Sequence, residues 1–580
     1  MKIRLKRSNT LMSKKYYSML LSGTLNIMVA SLLLMSDSLI AGAMVGSDAV
    51  AGIGLITPIY SLAVFFGTIF SIGIPILYSN EMGKFNKSEA DRVFGFGVLM
   101  SVVVGIVIFV SVNIFNDLYL SIYSEQKEIL FNAKGYLFWM RFTVFILPIR
   151  MLLGDMVYSD GDELISSIAN LVQGIGNIAF SIILCRFIGV RGIGMASFLF
   201  NIISFLILLL HFANKDNTLR WNMYFSFGLM KNVIQYSIID SSSYLFLSLL
   251  VASLNTFIVS QFGAKYLILS SVISLCRESQ LLFDGIGAAV GPIFSIYLGE
   301  ENLSGLRSSY DPANKTAIAE GVIVTLLLII IAPFVPKFLN IADPQIIKLA
   351  VNGTRLIALG STFISLLYLL TSYYLVIEQI LLGLIVCALR DLVFCLSLAL
   401  VFGKIFGIYG MFIGIAAAPA VAYILLIVYI RTRYGKEDVP LLLSRVPGNR
   451  NTYFFNLSTE PEEIIDVQKM VGKLLNKHDV NDKIKVRVML LIEELLMFIR
   501  QMNGNKSILA ELSVFLRPEG VQLILKDEGK SFDMADEDLS SSSLSAYTIS
   551  LYLQKRNIDD RHLTAMGLNR SIFFIKFNDG

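Results

Sequence analysis

The sequence predicts an all-α polytopic membrane protein followed by a C-terminal α+β sandwich domain. Twelve transmembrane helices are expected, as two six-helix bundles in a pseudo-twofold repeat. Three observations predict this. Apolar runs of about 20 residues or more recur from about residue 16 to residue 430, the length a helix needs to cross roughly 30 Å of hydrocarbon. Glycines and an arginine recur at nearly one offset between the two halves of that region. The remaining C-terminal residues are charged and mixed, with short apolar runs only. A mean hydropathy of +0.68 and 55% hydrophobic residues exclude an ordinary water-soluble chain of this length.

The candidate spans are 16–45, 50–79, 93–116, 129–154, 163–188, 191–212, 232–261, 266–298, 316–340, 347–376, 379–403 and 408–430. Breakers and charges fill the connections, as in EMGKFNKSEADR, YSDGDE, HFANKDNTLRW and LGEENLSGLRSSYDPANK. Basic residues mark alternate ends. Lys2, Arg4, Lys6, Arg7, Lys14 and Lys15 precede the first span, and Arg431, Arg433 and Lys436 follow the last. Between them Lys84, Lys87 and Arg92, then Lys215, Arg220 and Lys231, then Arg307 and Lys315, fall in alternate loops. The positive-inside rule then puts both termini in the cytoplasm, with an even number of spans in the inner (cytoplasmic) membrane. The first apolar run is too long for a cleaved signal peptide. The net charge of +4 says little by itself, and nothing points to a nucleic-acid partner. The expected division is a basic N-terminus (1–15), an N-terminal lobe (16–215), a linker (216–231), a C-terminal lobe (232–432), a second linker (433–451) and the soluble domain (452–580).

The repeat is read from spacing. Gly46 and Gly263 lie 217 residues apart, and Gly83 and Gly299 lie 216 apart. Gly189 and Gly192 match Gly407 and Gly410 at 218, and Arg141 matches Arg355 at 214. Six spans repeated in the same sense give two parallel bundles, a common build for secondary transporters with the solute path between the halves. No filter-like polar re-entrant segment suggests a channel.

Asp37 stands near the middle of the first span with only Ser36 and Ser38 as polar neighbours. A carboxylate at that depth costs about 2.5–3.5 kcal/mol and needs a partner, a proton or water. It reads either as a cation or proton site or as a protonated carboxyl without a task. Asp240, Arg277, Glu278, Asp284, Glu378, Arg390 and Asp391 are further charges at or near membrane depth, read either as structural pairs or as part of a solute path. Glu378 suits a cytoplasmic loop end. Arg390 and Asp391 are adjacent on one helix, about 100° apart, and are expected to seek partners across the bundle rather than each other. Pro58, Pro75, Pro148, Pro292 and Pro419 mark expected bends. Cys185, Cys276, Cys387 and Cys395 lie in apolar segments without metal spacing, and His211, His478 and His562 do not cluster, so no metal site or disulfide framework is expected.

The stretch from Asp37 to Pro58 reads D-x(4)-G-x(3)-G, then an Ala/Gly-rich run and TP. It resembles the first-helix signature of multidrug and toxin extrusion (MATE) transporters. The segments SIGIPILYSNEMGKFNKSEADR and SDGDELISSIANLVQGIGNIAFS, followed by FIGVRGIGMAS, continue the resemblance over about residues 15–435. It implies a proton or sodium site in the N-terminal lobe at Asp37, Asn177, Ser181 and Ser197. Ser181 stands where many members carry a second Asp, and Ser197 where they carry a Thr. The coupling ion is expected to be H⁺, with Na⁺ as the alternative.

In the tail, NTYFFNLST reads as a strand, and PEEIIDVQKMVGKLLNKHDV and DKIKVRVMLLIEELLMFIRQM as helices. SILAELSVFLRPEGVQLILKDEG reads as a hairpin turning at Pro518-Glu519-Gly520, and SIFFIKF as a last strand. The order resembles the GHKL-type ATPase fold in its anti-sigma-factor kinase branch, over about 452–577. The helix LLIEELLMFI resembles the Glu-bearing box, with Glu493 or Glu494 in place of the general base. KDEGKSFD resembles the D-x-G box, where Asp527 would receive an adenine amino group and Gly529 allow close approach. Phe498 replaces the Asn that holds Mg²⁺ in that family, and SSSSLSAYTIS has no glycine where the phosphates are wrapped. Candidate nucleotide-binding residues are therefore Glu494, Asp527 and Gly529, with ATP as a candidate ligand but without turnover; no catalytic residue is assigned.

The resemblance implies a cation-coupled antiporter exporting organic, cationic or amphipathic solutes, with the tail as a regulatory module that contacts a cytoplasmic protein. The alternative is a membrane-anchored sensor whose degenerate tail binds a regulatory partner. A lipid-linked precursor flippase would share the bundle plan but would call for a large basic cavity, and the central Arg and Lys supply is modest.

Overall fold

The computed structural model describes residues 11–83, 87–121, 127–160, 162–213, 217, 219–446, 452–530, 545, 547–549, 558–565 and 568–577. The chain forms two compact units. One comprises Gly23–Gly287 and Lys315–Gly435, the other Met1–Ser22, Ala288–Asn314 and Lys436–Gly580.

The helices of the apolar region are α1 (Leu11–Met44), α2 (Ser47–Gly83), α3 (Lys87–Ser121), α4 (Lys127–Ser159), α5 (Glu163–Ile188), α6 (Val190–Leu209), α7 (Phe227–Phe262), α8 (Ile268–Ser279), α9 (Asp284–Gly299), α10 (Leu303–Ile331), α11 (Val335–Phe338), α12 (Pro344–Ala358), α13 (Ser361–Val376), α14 (Ile380–Ala388) and α15 (Phe394–Tyr434). In hydrocarbon every backbone polar group must be satisfied within the chain, so long apolar runs become helices. Among the described residues nine helices are long and apolar enough to cross a membrane, ten if α12 and α13, bent by 44°, form one span. Twelve are expected from the sequence. The difference falls at α1, which has 34 residues but is not among the ten, and at Ile380–Tyr434, which counts once although Gly407 breaks its helical backbone. The run 266–298, expected as one span, is one candidate span at Ala264–Leu298, with a 3-10 turn at Gln280–Phe283 between α8 and α9. The stretch LGEENLSGLRSSYDPANK, expected as a loop, is helical from Leu303. Asn302 Oδ1 accepts from the Gly305 backbone N–H at 2.8 Å and so caps α10.

The repeat has a conformational counterpart. Gly189 between α5 and α6 adopts φ 62, ψ −145, and Gly407 within α15 adopts φ 67, ψ −155. Only glycine enters that region without strain. Three residues on, a Cβ at Gly192 would lie 2.4 Å from the Leu184 carbonyl oxygen, and one at Gly410 2.0 Å from that of Phe402. Each glycine lets the chain fold back tightly on the preceding helix. Gly192→Ala is expected to lower stability by about 1–3 kcal/mol through overpacking, read as a lower Tm of the detergent-solubilised protein.

α2 packs on α4 and α7 and joins the halves. Pro58 within α2 has no N–H, so the Gly54 carbonyl loses its helical partner. Asn255 Nδ2 of α7 donates to that oxygen at 3.4 Å, and Ser248 Oγ donates to the Pro58 carbonyl at 2.7 Å.

In the other unit β1 (Thr452–Ser458), α16 (Pro461–Lys477), α17 (Asp482–Met502), β2 (Leu509–Arg517), β3 (Gly520–Asp527), β4 (Ile558–Ala565) and β5 (Leu568–Lys576) form an α+β layer pair. The sheet is antiparallel in the order β1-β2-β3-β5-β4. Val467, Val471 and Leu475 of α16 and Val488, Leu491 and Leu495 of α17 pack with Leu512, Val514, Leu523 and Phe573 of the strands. β4, with the sequence IDDRHLTA, is the strand the sequence reading did not find. Its charged residues lack strand character, and its pairing with β5 makes it one.

Candidate functional site

Asp37 on α1 lines a cavity of about 260 Å³ inside the membrane unit, with a mixed polar and apolar wall. Tyr136 of α4 donates to Asp37 Oδ2 at 2.7 Å, and Ser197 Oγ of α6 lies 3.1 Å from the same oxygen. Asn177 and Ser181, one turn apart on α5, face the same point. Ser181 Oγ donates to Asn177 Oδ1 at 3.1 Å, and Ser197 Oγ is 3.3 Å from that oxygen. The four residues singled out from the sequence thus form one hydrogen-bonded cluster. Asp37 Oδ1 is buried and has no hydrogen-bond partner among the described residues. One carboxylate oxygen is held by two hydroxyls, and the other has no such tie among the described residues.

Three residues of the cavity were missed as site residues or assigned elsewhere. Tyr136 gave no sequence signal beyond an aromatic in an apolar span. Arg150 on α4 was the legible one, a lone cation in FILPIRMLL. Glu278 of α8 lines the same cavity as Asp37 rather than a separate site in the second half. Tyr60, Gln173 and Asn201 are further polar residues of the same wall.

The expectation that Arg390 and Asp391 do not pair is wrong. Arg390 Nε donates to Asp391 Oδ1 at 2.9 Å, and Arg390 Nη2 contacts Oδ2. Both lie in a π-helical turn, Leu389–Val393, which widens the helix, and the long Arg side chain curls back to its neighbour. Arg277 of α8 closes on the same carboxylate from across the bundle. The Arg390 guanidinium also sits 3.7 Å from the Tyr368 ring centroid. One buried acid between two guanidiniums is a structural tie of α8 to the π turn. Asp240, Asp284 and Arg390 line a smaller cavity of about 30 Å³. Glu378 ends α13 in an exposed turn with a left-handed φ of 59.

Comparison with known proteins bears on this geometry. Residues 24–183 match the family MatE. The multidrug export protein MepA of Staphylococcus haemolyticus (strain JCSC1435) is 24% identical over 312 residues, 52% of this chain and 68% of that one. An inward-facing multidrug resistance MATE transporter of the MOP superfamily superposes with a TM-score of 0.64 at 20% identity, covering 70% of this chain and 94% of the other. The membrane part of this chain has the fold of these MATE transporters. A MOP superfamily transporter from Pyrococcus furiosus, described as having reversed polarity in its binding pocket, superposes with a TM-score of 0.59 at 20% identity over 73% of this chain and 96% of its own. The Asp37 cavity lies inside the helices that carry the likeness to these transporters.

The unit holding the five-stranded sheet is outside the MatE match. There Asp527 Oδ1 accepts from the Gly529 backbone N–H at 2.8 Å and from Asn569 Nδ2 at 2.9 Å. Its Oδ2 is buried without a hydrogen-bond partner among the described residues. Burial pushes this carboxyl up to about 6, against the Asn569 and Gly529 hydrogen bonds, which pull it down. A Cβ at Gly529 would sit 2.6 Å from Asn503 Nδ2, so the close approach requires glycine. These features fit the amino group of a base. The phosphate end does not fit. Phe498 is packed in the core, Glu493 accepts from Gln468 at 2.7 Å, and Glu494 is half-buried. Most of SSSSLSAYTIS lies outside the described residues. No chemical step is assigned to nucleotide here.

The same unit contains a buried charge cluster that the sequence did not reveal. Glu511, Lys526 and Arg570 are cross-strand neighbours on the sheet face away from α16 and α17. Lys526 Nζ donates to Glu300 at 2.8 Å and Glu511 at 3.0 Å, and Arg570 Nε lies 3.0 Å from Glu300 Oε1. Tyr297 donates to Glu511 Oε2 at 2.7 Å, and Asn302 donates to Ser513 at 3.1 Å. The turn between α9 and α10 therefore seals a sheet face that strand alternation alone would leave in water.

Proposed function

We propose that the chain is a cation-coupled antiporter of the cytoplasmic membrane, with both termini cytoplasmic, that exports organic, cationic or amphipathic solutes. Asp37, in the wall of the cavity and with Oδ1 unpartnered among the described residues, carries this reading. Tyr136 and Ser197 hold Oδ2, and Oδ1 is left without a hydrogen-bond partner among the described residues. When Asp37 is charged it attracts a cationic solute and keeps both hydroxyl donors. When Oδ1 takes a proton the attraction is lost and the solute is released, and the lobe shifts between its two states by the difference in binding. H⁺ is favoured over Na⁺ because the cluster offers one carboxylate, an amide and hydroxyls already engaged with one another.

The C-terminal unit is assigned a regulatory role through a cytoplasmic protein partner. The support is the Lys526 cluster, which ties Glu300, in the turn between α9 and α10, to the sheet. Reconstituted vesicles with H⁺ and Na⁺ gradients imposed separately test the transport reading. Export of a lipophilic cation such as tetramethylrhodamine methyl ester is expected to follow the proton gradient. Export that follows neither gradient removes the coupling mechanism.

A further inference from the structure

The sheet of the C-terminal unit is tied to α1 as well as to the turn at Glu300. Lys14, in the first turn of α1, makes an ion pair with Glu528 at 2.7 Å. Glu528 follows directly on β3, two residues beyond Lys526. The start of α1 is packed too: Leu11, Met12 and Tyr16 are buried. Met1–Ser22 and Ala288–Asn314 fall with Lys436–Gly580 in one compact unit. That unit therefore holds the start of α1 and the turn between α9 and α10 at once.

These two ends belong to different halves of the repeat. α1 opens the first half and carries Asp37, and α9 and α10 lie in the second. Alternating access in transporters built from two bundles is largely a rocking of one bundle against the other. A sheet tied to a helix end of each half opposes that motion until one tie gives way.

The burial of each tie decides which one gives way. At the α9–α10 turn Lys526 Nζ meets Glu300 at 2.8 Å and Glu511 at 3.0 Å, and none of the three side chains is more than 2% exposed. Losing one member of such a buried set shifts an equilibrium by about a hundredfold or more. At α1 the Lys14 and Glu528 side chains are 58% and 25% exposed. Losing an exposed ion pair shifts an equilibrium by about fivefold at most. The α9–α10 end is the anchor and the α1 end is the latch.

We propose that the C-terminal unit is a brake on alternating access: the Lys14–Glu528 pair latches α1 to a sheet anchored on the α9–α10 turn, and the latch opens before the two halves move apart at these ends. This rests on the transport reading for the motion that is restrained. It gives the regulatory role of the unit a mechanical form within the chain.

The test uses the full chain in detergent with one spin label in each half, at Lys87→Cys on α3 and Arg431→Cys on α15, both exposed positions. The four native cysteines are buried, so the labels go to the introduced ones. Pulsed electron paramagnetic resonance, without any gradient, reads the spacing of the halves. Glu528→Lys sets two cations against each other and is expected to raise the population of wider spacings about two- to fivefold. Lys14→Glu is the same reversal from the other side and is expected to do likewise. The two substitutions together restore the pair in reverse and are expected to return the spacing to that of the native latch. In vesicles the initial rate of export of tetramethylrhodamine methyl ester is expected to rise with either single reversal and to fall back in the swapped pair. Spacings identical in all four chains overturn the proposal, and so does a widening that the swap does not reverse. In a chain that exports, wider spacing with an unchanged or lower rate overturns it too. Spacing that follows the latch in a chain showing no gradient-driven export would leave the latch standing and remove the antiporter reading alone.

Discussion

Asp37→Asn is expected to reduce gradient-driven export to the level of empty vesicles while leaving the fold intact. The substitution changes one atom type at a place where both roles can be separated. Asn keeps an oxygen at the position that accepts from Tyr136 and Ser197, so the ties of α1 to α4 and α6 survive. It removes the titratable charge. Burying a carboxylate at this depth costs about 2.5–3.5 kcal/mol, so the variant is expected to melt at the same temperature as the wild type or higher. A transporter that is as stable as before and no longer coupled identifies the acid as the moving part. Undiminished export driven by a proton gradient in this variant would show that coupling lies elsewhere in the bundle.

The architecture was legible because it follows from periodicity and glycine. The 218-residue offset of Gly189 and Gly407 reappears as one backbone conformation at both positions. Asp37 was legible because a carboxylate in an apolar span has few roles, whereas Asn177, Ser181 and Ser197 were reached through the MATE resemblance. What escaped depended on chain geometry that sequence does not encode locally. The π turn at Leu389–Val393 let adjacent residues pair where a regular helix would keep them apart. The reasoning that failed there holds at Arg277 and Glu278, neighbours that face different partners: one meets Asp391, the other the Asp37 cavity. Lys526 and Glu511 looked like an ordinary wet strand face, because their cover is more than 200 residues away in sequence, in the turn from Tyr297 to Asn302.

That cover sets the second large effect. In Lys526→Met, Glu300 and Glu511 keep their burial and lose the ammonium between them, and only Arg570 still reaches Glu300. Removing one member of a buried charge set costs about 3–5 kcal/mol, because the remaining charges are stranded out of water. The expected result is a lower melting temperature and faster proteolytic cleavage within residues 436–580 of the full chain. The pH dependence fixes the cause. Burial already holds the Glu300 carboxyl above its usual range, with Lys526 and Arg570 pulling it back down. Without Lys526 it rises further. A carboxyl whose folded value lies above its unfolded one favours the folded state at low pH, and that advantage is lost as pH rises through the folded value. The variant is therefore expected to lie closest to the wild type in mildly acidic buffer and furthest below it in alkaline buffer. Adding Glu300→Gln to Lys526→Met should recover part of the loss at neutral pH, since it removes one of the two stranded charges. A defect of equal size at every pH would instead assign the loss to packing against the Tyr297 ring, 4.2 Å from the lysine nitrogen.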